Sequence, residues 1–221
     1  MVQRALKVVV VLALLMAVVI GPAGASVLTK IGTADIAGVG TFGLIYDSGT
    51  SLFWLDYTHG VDTWQNQVNW ATNLVLTNVL TPGKTIQWTD PNSTWRLPTT
   101  VPAVSGYNQT GSEMGHLYYT DLGLTQGNGV TGEGSANQLP FTKLVPGWYW
   151  SGTESANPND AWGFVTSVGY QGADYKGSNY SALAVRPGQL LTSAVPEPST
   201  YLLLGIALGV VGYARRRMSA R

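Results

Sequence analysis

Leu44-Ile45-Tyr46-Asp47-Ser48-Gly49-Thr50-Ser51-Leu52-Phe53-Trp54-Leu55-Asp56 decides how this chain is read. Two short runs of β-branched, aromatic and large apolar residues flank Asp-Ser-Gly-Thr. The flanks have strand composition and the centre has turn composition, so the stretch predicts a β-hairpin. Leu52 to Leu55 and Leu44 to Tyr46 are the two strand-like flanks.

Working outward, Thr63 to Leu74 reads as a helix. Trp64, Val68 and Ala71 recur at i, i+4 and i+7, and Asp62 or Thr63 supplies a cap. Pro82-Gly83 and Asp90-Pro91-Asn92 mark loops. A second helix is expected over Ser112 to Leu122: Ser112 caps it, Glu113 suits its positive end, and Met114, Leu117 and Tyr118 share a face. Gln126 to Gln138 is a glycine-rich loop. Trp148 to Ser151, Ala161 to Ser167 and Ser181 to Arg186 have strand character. Trp148 and Trp150 alternate, so they share one face, for which the core is the default. Strands outnumber helices, which predicts an α+β domain with an antiparallel sheet and two helices.

Both ends of the chain are different in kind. Arg4 and Lys7 precede an apolar run of 13 residues, Val8 to Ile20; Gly21-Pro22 breaks it, and Ala23 and Ala25 fit the small-x-small rule for cleavage before Ser26. Residues 1–25 therefore read as a signal peptide, which implies the Sec export machinery and signal peptidase. At the other end come Pro196-Glu197-Pro198, an apolar run over about 200–214, and Arg215-Arg216-Arg217. The prolines hold the backbone extended. The arginines make a positive-inside stop, so the run is expected to be a short transmembrane helix passing through the inner membrane. The organisation that follows is 1–25 signal peptide, 26–43 small-residue lead-in, 44–188 globular domain, 189–195 linker, 196–221 tail with basic residues 215–221.

Charge and composition exclude several functions. Twelve Lys and Arg balance twelve Asp and Glu overall. Between Ser26 and Val195, however, six basic residues face eleven acidic ones, so no nucleic-acid-binding face is expected. The chain has no cysteine, which removes disulfides, thiolate metal sites and cysteine nucleophiles. His59 and His116 are the only histidines. His59, before Gly60, is expected in a solvated loop, and His116 as a structural residue of the second helix. Neither has the sequence spacing of a zinc or triad site. No cofactor is required. Calcium is the single candidate, through Asp160, Asp174 and Asn157, Asn159 and Asn179, against the simpler reading of ordinary turns. Tyr107, Tyr170, Tyr175 and Tyr180 are candidates for stacking on sugar rings.

Two resemblances add to this. Residues 196–221 resemble the PEP-CTERM sorting signal: the Pro-Glu-Pro, the short Gly/Leu-rich helix and the arginines occur in order. The resemblance implies processing by an exosortase in an exopolysaccharide-producing Gram-negative bacterium, and delivery to the cell surface or matrix. Residues 44–56 together with Trp95-Arg96-Leu97-Pro98-Thr99, Gly111 to Leu117, Trp148 to Glu154 (with Trp150), Ala161-Trp162 and Ala184-Val185-Arg186-Pro187-Gly188 resemble the DUF1566 (Lcl C-terminal) family. That resemblance implies a C-type-lectin-like fold related to formylglycine-generating enzymes. Formylglycine chemistry does not carry over without cysteines, and the Glu-Pro-Asn and Trp-Asn-Asp calcium motifs of lectins are missing. Trp95 to Thr99, Trp150 and Arg186 are accordingly expected to be structural, with Arg96 paired to Asp56 or Glu113. The functional expectation is a non-catalytic surface domain that holds exopolysaccharide. The alternatives are a structural biofilm protein with no ligand and, last, a glycan hydrolase.

Overall fold

The computed structural model describes residues 27–132 and 136–192. The signal peptide, its cleavage site at Ala23 and Ala25, Pro196 to Pro198, the apolar run 200–214 and Arg215 to Arg217 all lie outside these residues. Eleven strands run through the described residues: β1 (Leu28–Ile36), β2 (Gly40–Asp47), β3 (Leu52–Asp56), β4 (His59–Asp62), β5 (Leu76–Leu80), β6 (Lys84–Trp88), β7 (Trp148–Glu154), β8 (Asp160–Val165), β9 (Tyr170–Tyr175), β10 (Tyr180–Ala182) and β11 (Val185–Thr192). Helix α1 spans Trp64–Thr72. A single turn, α2 (Glu113–Gly115), continues as a π-helix over His116–Asp121. The domain is thus mostly β, and the expected α+β balance shifts toward sheet because the second helix is short and irregular.

The predicted hairpin is present. β2 pairs antiparallel with β3 in unbroken register from Gly43↔Asp56 to Asp47↔Leu52. Asp47 closes its turn, with its Oδ1 accepting from the Gly49 and Thr50 amides. All five residues of β3 are buried, as the unalternating Leu-Phe-Trp-Leu run requires.

β2 and β3 sit inside a six-stranded sheet of order β5-β1-β2-β3-β11-β6. β5 and β6 are joined by three residues yet occupy opposite edges. A link that short reaches at most about 14 Å, whereas six flat strands would span roughly 24 Å. The sheet therefore curls until its edges approach. Its inner face holds Ile31, Leu44, Phe53, Leu55, Trp95 and Ala184, joined by Leu76, Ile86, Trp88 and Leu190 from the edge strands. Its other face, with Ile45, Trp54 and Val185, packs against Tyr149, Phe164, Leu117 and Tyr118.

The second sheet has the order β4-β10-β7-β8-β9. Two segments tie it to the first. β3 leads through Tyr57-Thr58 into β4, and β10 leads through Leu183-Ala184 into β11, a crossing where residues 182 to 185 are fully buried. This crossing splits the single strand expected over 181–186. It also makes β10–β7 a parallel pair in a fold expected to be antiparallel. Two boundary expectations change as well. Leu28–Ile36, expected within a lead-in, is the sheet strand β1, hydrogen-bonded to β2 and β5. Gln189 to Thr192, expected within a linker, extend β11 against β6.

Candidate functional site

Helix α1 has two faces of different chemistry. Trp64, Gln67 and Ala71 are buried against the second sheet; Trp64 and Ala71 are on the face the sequence period predicted, whereas Val68 is only half-buried and Gln67 takes a core place. The indoles pin it: Trp64 Nε1 donates to Ser151 O at 2.8 Å, and Trp150 Nε1 donates to Asp62 O at 3.1 Å. The opposite face carries Asn66, Asn69, Trp70 and Asn73, spaced i, i+3, i+4 and i+7, so they line up along the helix. This face forms one wall of a groove of about 660 Å³, whose other walls are Tyr57, His59 and Asp62 and the end of β1 with Ile36, Ala37 and Val39.

His59 is not a solvated loop residue, as expected from the sequence, but part of β4 and of this groove. Its ring lies flat on Trp70, with centroids 4.4 Å apart and planes 14° from parallel. Its tautomer follows from its neighbour. Gln67 is fully buried, and its Nε2 donates to Gly60 O (2.6 Å) and Tyr180 O (2.8 Å). Gln67 Oε1 must therefore face His59 Nδ1, at 2.7 Å, and His59 Nδ1 must be the donor. Nε2 is then the atom of the ring left to bond a ligand.

The amides are held in the same way. Asn66 Nδ2 donates to Asp62 Oδ1 (2.8 Å), Asn69 Oδ1 accepts from Gln65 Nε2 (3.0 Å), and Asn73 Nδ2 donates to Asn69 O (2.8 Å). Each bond fixes one end of an amide and leaves the other end for a ligand. The Asn66 amide holds the Asp62 carboxyl below its ordinary range. The Thr63 N–H and the charge of His59 act in the same direction, and partial burial opposes them. The groove thus offers an aromatic stack, a row of three amides and one carboxylate. None of its lining residues is Lys or Arg.

The motif residues meet elsewhere. Arg96 pairs through its backbone with Val185 and through its guanidinium with Glu113, both N–H···O distances being 2.7 Å. Glu113 also accepts from Thr99 N at 2.7 Å. Pro98 O accepts from Gly152 N at 2.8 Å. Trp95, Leu97 and Trp150 are buried. Arg186 lies over the Trp88 ring, 4.0 Å from its centre. Of the two partners considered for Arg96, Glu113 is the one it has; Asp56 is occupied by the Thr142 and Lys143 amides.

The remaining candidates separate. Trp148 and Trp150 do share a face, but only Trp150 is core; Trp148 is half-buried and stacks on Tyr180 at 5.2 Å. Tyr170 meets Tyr107 and Trp148 edge-on, so the tyrosines pack on one another rather than forming a flat platform, and Tyr175 stands exposed. The calcium set is not assembled. Asp160 lies opposite Tyr175, and Asp174 lies opposite Ala161, one residue on, so the two carboxylates point to opposite faces. Asp160 bonds Asn157, and Asp174 accepts from the Tyr180 hydroxyl. His116, expected to be a structural residue of the second helix, lies beside Asp121 and Asp47. The groove residues Asn66, Asn69 and Asn73 were not singled out from the sequence, although their i, i+3, i+7 spacing was the available signal.

Comparison with known proteins bears on the end of the chain. The family model for the PEP-CTERM protein-sorting motif matches residues 194–217. The chain carries a PEP-CTERM sorting motif. The motif implies exosortase-dependent sorting of an exported protein, with exosortase as processing partner, to the cell envelope or surface of a Gram-negative bacterium. Comparison with curated proteins and with solved structures gives no match. Among the described residues no helix is long and apolar enough to cross a membrane.

Proposed function

We propose that the PEP-CTERM tail delivers a non-catalytic, lectin-like domain that holds neutral polysaccharide in the groove beside α1. The observation that carries this reading is the groove's lining: the His59–Trp70 stack next to Asn66, Asn69 and Asn73. Sugar rings present apolar C–H faces and a rim of hydroxyls. An aromatic surface takes the faces, and amides, which both donate and accept, take the rim. The lining contains no cationic Lys or Arg to attract uronate or sulfate groups, and its single carboxylate repels them. Glycoside hydrolysis needs a pair of carboxyl groups, and the groove lining holds only Asp62.

The DUF1566 and C-type-lectin-like assignment belongs to the same proposal. It is supported by the way the motif segments converge on the Arg96–Glu113 clasp. So do removal of residues 1–25 by signal peptidase after Sec export and a transient inner-membrane stage held by residues 200–214.

The test is co-sedimentation of the full chain with insoluble neutral polysaccharide from the producing cells and, in parallel, with a polyuronate. Saturable binding to the neutral polymer is expected. Preference for the polyuronate, or binding to neither, overturns the reading. The intact mass of the surface form tests the delivery half, and it should lack Tyr201 to Arg221.

A further inference from the structure

The π-helix brings together side chains that an α-helix would hold apart. In an α-helix, residues i and i+5 point about 140° apart. In a π-helix the i→i+5 hydrogen bond stacks them on one face. Leu122 N donates to Leu117 O at 2.9 Å, an i→i+5 bond. The same register brings His116 and Asp121 together, with Nε2 and Oδ1 3.5 Å apart. The turn of the β2–β3 hairpin adds Asp47. One ligand-type atom from each of the three residues lies within 4.8 Å of the other two.

We propose that Asp47, His116 and Asp121 form a binding site for a divalent transition-metal ion, zinc foremost. Bonds of about 2.0–2.2 Å to one metal place neighbouring ligand atoms roughly 3–3.5 Å apart, so a small closure of this trio satisfies the geometry. His116 Nε2 is buried and makes no hydrogen bond. A buried ring nitrogen in that state is costly, and metal ligation relieves the cost. Asp47 is almost fully buried and is aimed by its own shell, the Gly49 and Thr50 amides and the Thr50 hydroxyl, as ligating carboxylates commonly are. The His116 side chain is 26% exposed, which gives the ion a way in. One imidazole nitrogen with two carboxylates selects zinc-type ions over calcium, which takes oxygen ligands. The bound ion would clamp the first hairpin to the π-helix. The site shares no residue with the groove.

The experiment uses the full chain in detergent, without a polyhistidine tag, freed of metal by chelation and titrated calorimetrically with Zn²⁺ and with Ca²⁺. The expected result is about one tight Zn²⁺ equivalent and no comparable Ca²⁺ binding, with affinity reduced at least about tenfold in both His116→Gln and Asp121→Asn. His59→Gln should bind zinc as the parent does. Melting curves in chelator identify any variant that has lost its fold. For such a variant, the spectrum of Co²⁺ bound to the parent chain replaces the affinity comparison. A tetrahedral or five-coordinate visible band without thiolate charge transfer supports the site, and an aquo-like spectrum overturns it. The absence of saturable Zn²⁺ binding, or equal binding by all variants, also overturns it.

Discussion

The two helical segments of this domain are built on opposite terms. Helix α1 has no side-chain cap on Thr63, yet it runs for nine residues because Trp64, Gln67 and Ala71 are locked onto the second sheet. Tertiary burial supplies what the terminus lacks. The segment Glu113 to Asp121 has the opposite arrangement. Ser112 Oγ accepts from Gly115 N at 3.1 Å, Glu113 is bonded by Arg96 and Thr99, and after a single turn the backbone widens into a π-helix. Regular packing leaves α1 a free outer face, which becomes a groove wall. Irregular packing turns the second segment's chemistry inward, onto Asp47. A helix held by its face can expose a binding row, whereas one held by its end collects charged groups around that end.

The comparison breaks most sharply at Arg96. Arg96→Ala removes two charge-assisted hydrogen bonds and leaves the Glu113 carboxylate, 18% exposed, without its cation. A loss of about 2–3 kcal/mol is expected in urea denaturation. Arg96→Lys should recover little of it, because an ammonium cannot reproduce the two-pronged contact. A transition unchanged in both variants would dissolve the clasp.

The caps sharpen the same contrast at smaller scale. Ser112→Ala should cost about 1 kcal/mol, and Thr63→Ala only a few tenths, because only the former accepts a hydrogen bond from its helix. Equal losses would mean that the two termini are not differently held.

The smallest effect is confined to alkali. Burial, with a contribution from Tyr119, pushes Tyr118 up to about 12, and its hydroxyl donates to Thr125 O at 3.0 Å. A group whose folded value is raised is stabilising while protonated. Its contribution is complete below the ordinary tyrosine value near 10 and fades as pH climbs toward 12. Tyr118→Phe should flatten that part of the stability–pH curve; an unchanged slope would contradict it.

Much of this was legible in the sequence where the period was regular. The hairpin over 44–56 and the burial of Trp64 and Ala71 on α1 follow from spacing alone, and Ser112 was readable as a cap. Three features were not. Leu28–Ile36 looks like a lead-in because Lys30, Gly32, Ala34 and Asp35 are types that strands disfavour; the segment pairs because β2 and β5 flank it. β5 and β6 interrupt no obvious pattern, and their partners, β1 and β11, are distant in sequence or were themselves read as lead-in and linker. The Asp47–His116–Asp121 group is invisible because His116 and Asp121 are five apart, a spacing that means contact only once the helix has widened. The sorting motif, by contrast, was readable, because it is recognised as a linear sequence and needs no fold to assemble it.

The central claim, that the exported domain binds neutral polysaccharide through α1's outer face, is tested most directly by calorimetric titration. The full chain and its Trp70→Ala and Asn69→Ala variants are each titrated with the soluble neutral polysaccharide of the producing cells. The account predicts saturable binding by the parent, weakened at least about tenfold by Trp70→Ala, which is about 1.4 kcal/mol or more, and less by Asn69→Ala, with melting curves close to the parent's. Binding by Trp70→Ala as tight as the parent's, or no binding by the parent, would contradict it.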